Sequence, residues 1–338
     1  MRQRVLYLCL VTVLVLGSVL SACAPQATPT PVPVQPTQAV VPTAAAPTAA
    51  PVKKLTLALV TKALDNPFWG YMHDAATKLA AEKGFELIYL APTKANNLEE
   101  QTRLVDDLIE KKVDGIALVP VDTKGMVAAV ERANAAGIPV AISNTRLDGG
   151  KIVTFAAIEN YDAMTLVTEY VVDKLGEKGK VVIIEGTAGA QTAIDRKKAQ
   201  DDVLKKYPNI EVLASQTAEF SRAQALTVME NLLQTYPEID AVLCGNDEEA
   251  LGAIEALKAA GRLDKTLVAG FDANADALKA VMEGRMVVTC DQRPDLQATQ
   301  ALQAIMDQLA GKAVEARTKI TATLVDKSNV DQYAYRIQ

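Results

Sequence analysis

LTLALVTKALDNPFWGYMHDAATKLAAEKGFELIYLA, residues 55–91, opens on an apolar run, breaks at a polar turn, continues as a helical pattern and ends on a second apolar run, ELIYLA (86–91). Two such runs on either side of a helix make a βαβ unit, because a helical crossover returns the chain to the same end of the sheet as a parallel neighbour. The turn LDNPFW (64–69) then lies at the carboxyl end of the first strand. It sets Phe68 beside Trp69, the only tryptophan of a chain with 4% aromatic residues.

The same rhythm continues. GIALVP (115–120), PVAISN (139–144) and VTFAAI (153–158) complete a first series, and VVIIEG (181–186), EVLASQ (211–216), AVLCGN (241–246), LVAGFD (267–272) and VVTCDQ (287–292) form a second. Continuous apolar strands separated by helices indicate parallel sheets covered on both faces. The ~285 residues involved exceed what one core usually holds. The fold class is therefore α/β, with two similar doubly wound, Rossmann-like parallel-sheet lobes. Open sheets of this kind bind ligands beyond the carboxyl ends of their strands. Side chains with planar polar groups recur there: Asp65 and Asn66, Asn144, Asn246 with Asp247, Asp272, and Asp291 with Gln292.

The first 52 residues are of another kind. Arg2 and Arg4, an apolar run from Val5 to Leu20 and small residues before Cys23 read as a secretory signal over 1–22, the run being short for a membrane span. Leu20-Ser21-Ala22-Cys23 resembles the bacterial lipobox, which implies cleavage before Cys23 and a lipid on its thiol. Residues 23–52, rich in Pro, Thr and Ala and without charge, read as an extended tether from that anchor. The protein is thus expected outside the cytoplasm, touching the membrane through its lipid alone.

Composition narrows the function. The formal charge of −6 becomes −8 once Arg2 and Arg4 leave with the signal, and an acidic body without a basic cluster argues against nucleic acid. His73 is the sole histidine and reads as an exposed helix residue, so neither a His-based triad nor a His-rich metal site is expected, and no cofactor is implied. Adjacent acidic pairs such as Asp106-Asp107 and Asp201-Asp202 point about 100° apart on a helix and read as solvated surface. GTAGAQ (186–191) lacks the spacing of a phosphate-binding loop and reads as a tight turn into a helix. Cys244 and Cys290 sit on strands with a third strand expected between them, beyond disulfide reach, and are expected as free thiols.

ALVTKALDNPFW, ASQTAEFSRAQALTVMENLL, AVLCGNDEEALGA and LVAGFDANADA resemble the corresponding segments of bacterial ribose-binding proteins, which belong to the type I periplasmic binding proteins of ABC transporters. The resemblance runs from about residue 55 to the C-terminus. It implies two lobes joined by a three-segment hinge near residues 158–160, 292–294 and 320–323. It further implies a first lobe of 53–158 plus 293–321 and a second of 159–292 plus 322–338. It implies a binding protein, not an enzyme, that acts as a monomer, closes on a monosaccharide or polyol and passes it to an ABC permease. A sugar sensor that signals to a kinase or chemoreceptor is the alternative use of the same fold.

The family's binding positions fall on Asn66, Phe68, Trp69, Arg196, Phe220, Asn246, Asp272 and Gln292. Such a set suits a sugar, whose C–H faces accept aromatic plates while its hydroxyl rim pairs with amide, carboxylate and guanidinium groups. Each residue has a plainer reading too. Asn66-Pro67 is a good helix start, Phe68, Trp69 and Phe220 could be core, and Asn246 and Asp272 could be helix caps. One site departs from the family: ribose binders end the fourth strand in Asp-Arg, whereas this chain has Asn144-Thr145 followed by Arg146. Asn144 and Arg146 are therefore further candidates, and another pentose, a hexose or a polyol is open beside ribose.

Overall fold

The computed structural model describes residues 54–337. The expected signal with Cys9 in it, Cys23 as the expected lipid site, and the expected tether to residue 52 lie outside the described residues.

In the first lobe, β1 (Thr56–Val60), α1 (Pro67–Lys83), β2 (Glu86–Leu90), α2 (Leu98–Glu110), β3 (Gly115–Leu118), α3 (Val127–Ala135), β4 (Val140–Ser143) and β5 (Phe155–Ala157) follow in turn. The second lobe is built of α4 (Asn160–Leu175), β6 (Gly179–Glu185), α5 (Gln191–Leu204), β7 (Ile210–Thr217), α6 (Arg222–Thr235), β8 (Ala241–Cys244), α7 (Asp247–Ala259), β9 (Leu267–Ala269), α8 (Ala275–Met282) and β10 (Val288–Asp291). The chain then adds α9 (Pro294–Leu309), β11 (Arg317–Lys319), β12 (Thr323–Asp326) and α10 (Ala334–Ile337). The ten apolar runs are β1 to β10, and the two sheets have matching orders, β2-β1-β3-β4-β5-β11 and β7-β6-β8-β9-β10-β12. All pairings are parallel except β12, which runs antiparallel to β10.

Strand alternation decides which side chain meets which helix layer. Leu57 and Leu59 face the layer that holds Ala76, Ala301 and Leu302, whereas Ala58 and Val60 face Val105, Leu108 and Met126. Both faces of the central strands are covered, so β3, β4 and β8 carry no polar face. Helix ends are set by local chemistry: Asn97 caps α2 by accepting from Glu100 N, and Gly84 in the left-handed conformation stops α1.

Three passages join the lobes. β5 leads into α4 of the second lobe, β10 leads back to α9 beside α1 and β4, and β11, on the edge of the first sheet, leads to β12 on the second. Behind the second passage, Arg336 from α10 makes a buried two-pronged ion pair with Asp291 at 3.0 and 3.2 Å. Arg293, at the passage itself, holds φ +54° while its N–H donates to Asp291 Oδ1.

One detail departs from the sequence reading and one agrees with it. His73 is not a free surface residue: it is half-buried on α1 and stacks on Tyr89 with ring centres 4.2 Å apart. Cys244 and Cys290 are free and buried, with β9 between their strands.

Gln101 of α2 ties the ends of β1 and β3 together below the interlobe face. Its Nε2 donates to Thr61 O and Val119 O at 2.9 Å each, and its Oε1 accepts from Val121 N at 2.8 Å, all fully buried. Gln101→Leu keeps the volume and strands three backbone groups, which should cost about 3 kcal/mol or more. Urea unfolding should show a lower midpoint at unchanged slope.

Candidate ligand-binding cleft

The carboxyl ends of the two sheets face each other across a cavity of about 390 Å³. Of the residues singled out in the sequence, Asn66, Phe68, Trp69, Asn144, Arg196, Phe220, Asn246, Asp272 and Gln292 all line it. The aromatic wall follows from the start of α1. Asn66 accepts from Phe68 N at 2.9 Å, Pro67 takes the first helical position, and the next two side chains turn inward. Phe68 and Trp69 meet edge to face at 4.9 Å, and at 2% and 8% exposure they belong both to the core and to the cavity wall. Opposite them, Glu219 and Phe220 occupy the left-handed region at φ +54° and +61°. The Phe220 ring lies so close to Gly186 that a Cβ there would be 2.0 Å from its Cζ.

The polar floor is a connected set. Arg196, reached from α5, donates through Nε to Asn160 Oδ1 at 2.9 Å and through Nη1 to Gly245 O at 2.8 Å. Its guanidinium lies 3.9 Å from the Phe271 ring centre, 5.7 Å from that of Phe220 and 4.0 Å from Asp272 Oδ1. Asp272 sits at the tip of β9 with φ +138°, a conformation that costs of order 1–3 kcal/mol and is held by a hydrogen bond from its N–H to Cys290 O. Burial raises its carboxyl well above the ordinary range, and Arg196 opposes that rise. Gln292, between the lobes, donates to Asp272 Oδ1 and accepts from Asn144 Nδ2 at 3.3 Å. A single polar chain thus runs from the first lobe through a hinge residue to the second. Asn246 completes a capping box with Glu249, whose carboxyl burial lifts to about 8 against the N–H groups it accepts.

Arg146 is the exception. Asn144 takes φ +59°, Thr145 N closes a tight turn on Ser143 O, and the side chain of Thr145 goes inward while that of Arg146 goes out. Half-exposed, Arg146 pairs with Asp148 at 2.9 Å and donates to Gln191 Oε1 of the other lobe at 3.3 Å, away from the cavity. It stands at the lip. Other groups close that lip as well: Asn96 Nδ2 donates to Thr187 Oγ1 at 3.1 Å, Gln191 N to Thr123 Oγ1 at 3.1 Å, and Ala275 N to the Tyr71 hydroxyl at 3.1 Å. The lobes are closed on each other.

The sequence reading passed over Lys62, two residues beyond β1. It is 4% exposed, lines the cavity and lies 6.0 Å from the centre of the Trp69 ring. A lysine after a strand ordinarily reads as solvated, and its only signal is its place at a carboxyl tip beside LDNPFW. Burial, and secondarily the Arg196 guanidinium, lower its ammonium from 10.5 to about 7. Below that pH the folded chain bears the full cost of a charged Lys62. The cost fades as pH rises from about 7 to 10.5, where the unfolded chain also gives up the proton. Lys62→Met should therefore stabilise the protein at pH 6 by on the order of 4 kcal/mol. The gain should shrink towards pH 10 in thermal denaturation, whereas a gain independent of pH would place the ammonium in water.

Residues 57–313 match the periplasmic binding protein domain family. The chain is 36% identical over 263 residues to the ribose import binding protein of Bacillus subtilis (strain 168), covering 78% of this chain and 84% of that one. It is 33% identical over 284 residues to the D-allose-binding periplasmic protein of Escherichia coli (strain K12), covering 81% and 91%. Among solved structures, an ABC transporter solute-binding protein from Bacillus halodurans C-125 with bound myo-inositol superposes with a TM-score of 0.79 at 34% identity, covering 86% of this chain and all of that one. The chain belongs to the periplasmic binding proteins, as a ribose-binding-protein-like ABC solute-binding protein of the type I fold.

Proposed function

We propose that the cleft holds one monosaccharide or small polyol, and that the closed form is what an ABC permease receives. One observation carries the reading. Aromatic plates from one lobe and the Arg196, Asn246 and Asp272 group from the other converge on a single cavity, with Gln292 linking that group to Asn144. Phe68 and Trp69 would cover a C–H face, and Asn66, Asn144, Arg196, Asn246, Asp272 and Gln292 would take the hydroxyl rim, with Phe220 against the opposite side. Relatives named for ribose, D-allose, D-apiose and xylitol support a guest of one ring or one short chain. With the amide of Asn144 at the fourth strand tip, where ribose binders resembling this chain have an acidic group, ribose itself is not the favoured guest.

No covalent step is involved. A guest favours closure only through its greater affinity for the closed state, so it must touch both lobes. In this reading the first lobe comprises 53–158 plus 293–321 and the second 159–292 plus 322–338, working as a monomer held outside the cytoplasm by a lipid on Cys23 and the tether that follows.

Asp272→Ala removes the charged acceptor of the floor and should weaken the tightest sugar by about a hundred-fold in calorimetry, with an unchanged circular dichroism spectrum. Gly186→Ala pushes the Phe220 ring off its seat and should lower affinity as well, while leaving the polar floor intact. Unaltered binding in both variants would place the guest elsewhere.

A further inference from the structure

Lys62 forms no ion pair among the described residues. Its backbone carbonyl accepts from Asn96 N, but its ammonium has no acceptor within hydrogen-bonding distance among the described residues, although the residue is 96% buried and forms part of the cavity wall. Buried ammonium groups are ordinarily paired, because removing an unpaired charge from water costs several kcal/mol. The nearby charges do not supply a partner. Asp272 across the cleft already serves Arg196 and Gln292, and Arg196 itself repels the ammonium. Asp122, on the segment after β3, attracts Lys62 through space but forms no ion pair or hydrogen bond with it among the described residues. Asp65, Lys94 and Glu219 stand around the cavity with mixed sign. At the tip of β4 the facing residue is an amide, and Asn144 Oδ1 is taken by the Thr145 hydroxyl at 3.2 Å.

We infer that the guest brings the missing charge: the cleft selects an acidic monosaccharide, one bearing a single carboxylate such as a uronate or aldonate, and seats that carboxylate on Lys62. The inference rests on the reading of the cleft as a sugar site and narrows its guest. A neutral sugar entering the closed cavity would strip the remaining water from the ammonium and return only a hydroxyl. A carboxylate returns a charge-assisted hydrogen bond and cancels the repulsion from Arg196. A phosphate dianion fits less well: Arg196 already donates to Asn160 and Gly245 and keeps only its remaining N–H groups for the sugar's hydroxyl rim, and the first free N–H of α1 is taken by Asn66.

Calorimetry on the purified protein tests this with D-galacturonate, D-glucuronate and D-gluconate against D-galactose, D-glucose, D-ribose and myo-inositol. Titrations at pH 7.5 are run in two buffers of different ionisation enthalpy. At least one acid should bind ten-fold or more tighter than its neutral counterpart and take up a proton as it binds. That preference should collapse towards unity in Lys62→Met. A neutral sugar that binds as tightly as any acid, with release of a proton, overturns the inference and leaves the sugar site standing. Acid preference that persists in Lys62→Met overturns the role of Lys62. No heat from any sugar of either class removes the sugar reading and the inference together.

Discussion

The cleft depends on keeping one guanidinium out of water. Arg196 is buried, and its charge is tolerated because four pieces of chain meet it: Asn160 at the start of α4, Gly245 after β8, Phe271 and Asp272 after β9, and Phe220 from the turn after β7. Desolvation alone would drive the charge off, and the attraction of Asp272 and the more distant Glu249 and Asp247 opposes this. Each partner is a strand tip or a helix start, so satisfying the charge also fixes the tips in space. The strained φ of Asp272 and the left-handed turn at Phe220 are held by the same packing.

The second constraint is the join between lobes. Gln292 lies at a passage of the chain and hydrogen-bonds to Asn144 on one side and Asp272 on the other, so the polar floor is continuous between the closed lobes. Contacts at the lip, such as Tyr71 with Ala275 and Asn96 with Thr187, involve single neutral hydrogen bonds. Bonds of that kind contribute about 1 kcal/mol each, an amount a bound guest can tip in either direction.

Most of the fold was legible because buried parallel strands must be apolar throughout. GIALVP and AVLCGN read as strands without any tertiary knowledge. β11 and β12 were not legible: Arg317–Lys319 and Thr323–Asp326 are short and polar, and they become strands only because β5 and β10 present open edges. The site was legible to the extent that it sits at strand tips, where Asn66 and Asn246 are both caps and wall and Asp272 is wall alone, the cap of α8 being Asn274. Arg146 was misplaced because the direction of a side chain after a left-handed Asn144 depends on one backbone angle that the sequence does not display. Lys62 was overlooked for the reverse reason, since its type argues for solvent while its position argues for the cavity. Asp106 and Asp201 behave as the helix geometry suggests, each paired on the surface with Arg132 or Lys197.

The return of β11 to the first sheet has a consequence for biosynthesis. Residues 317–319 add to β5 some 160 positions after that strand is made, whereas β12 joins the much nearer β10 of the second sheet. Pairings so distant along the chain form slowly, because a long loop must close before they return any energy. The edge of the first sheet is therefore complete only once residues 317–319 have joined β5, long after the rest of that sheet's strands are available.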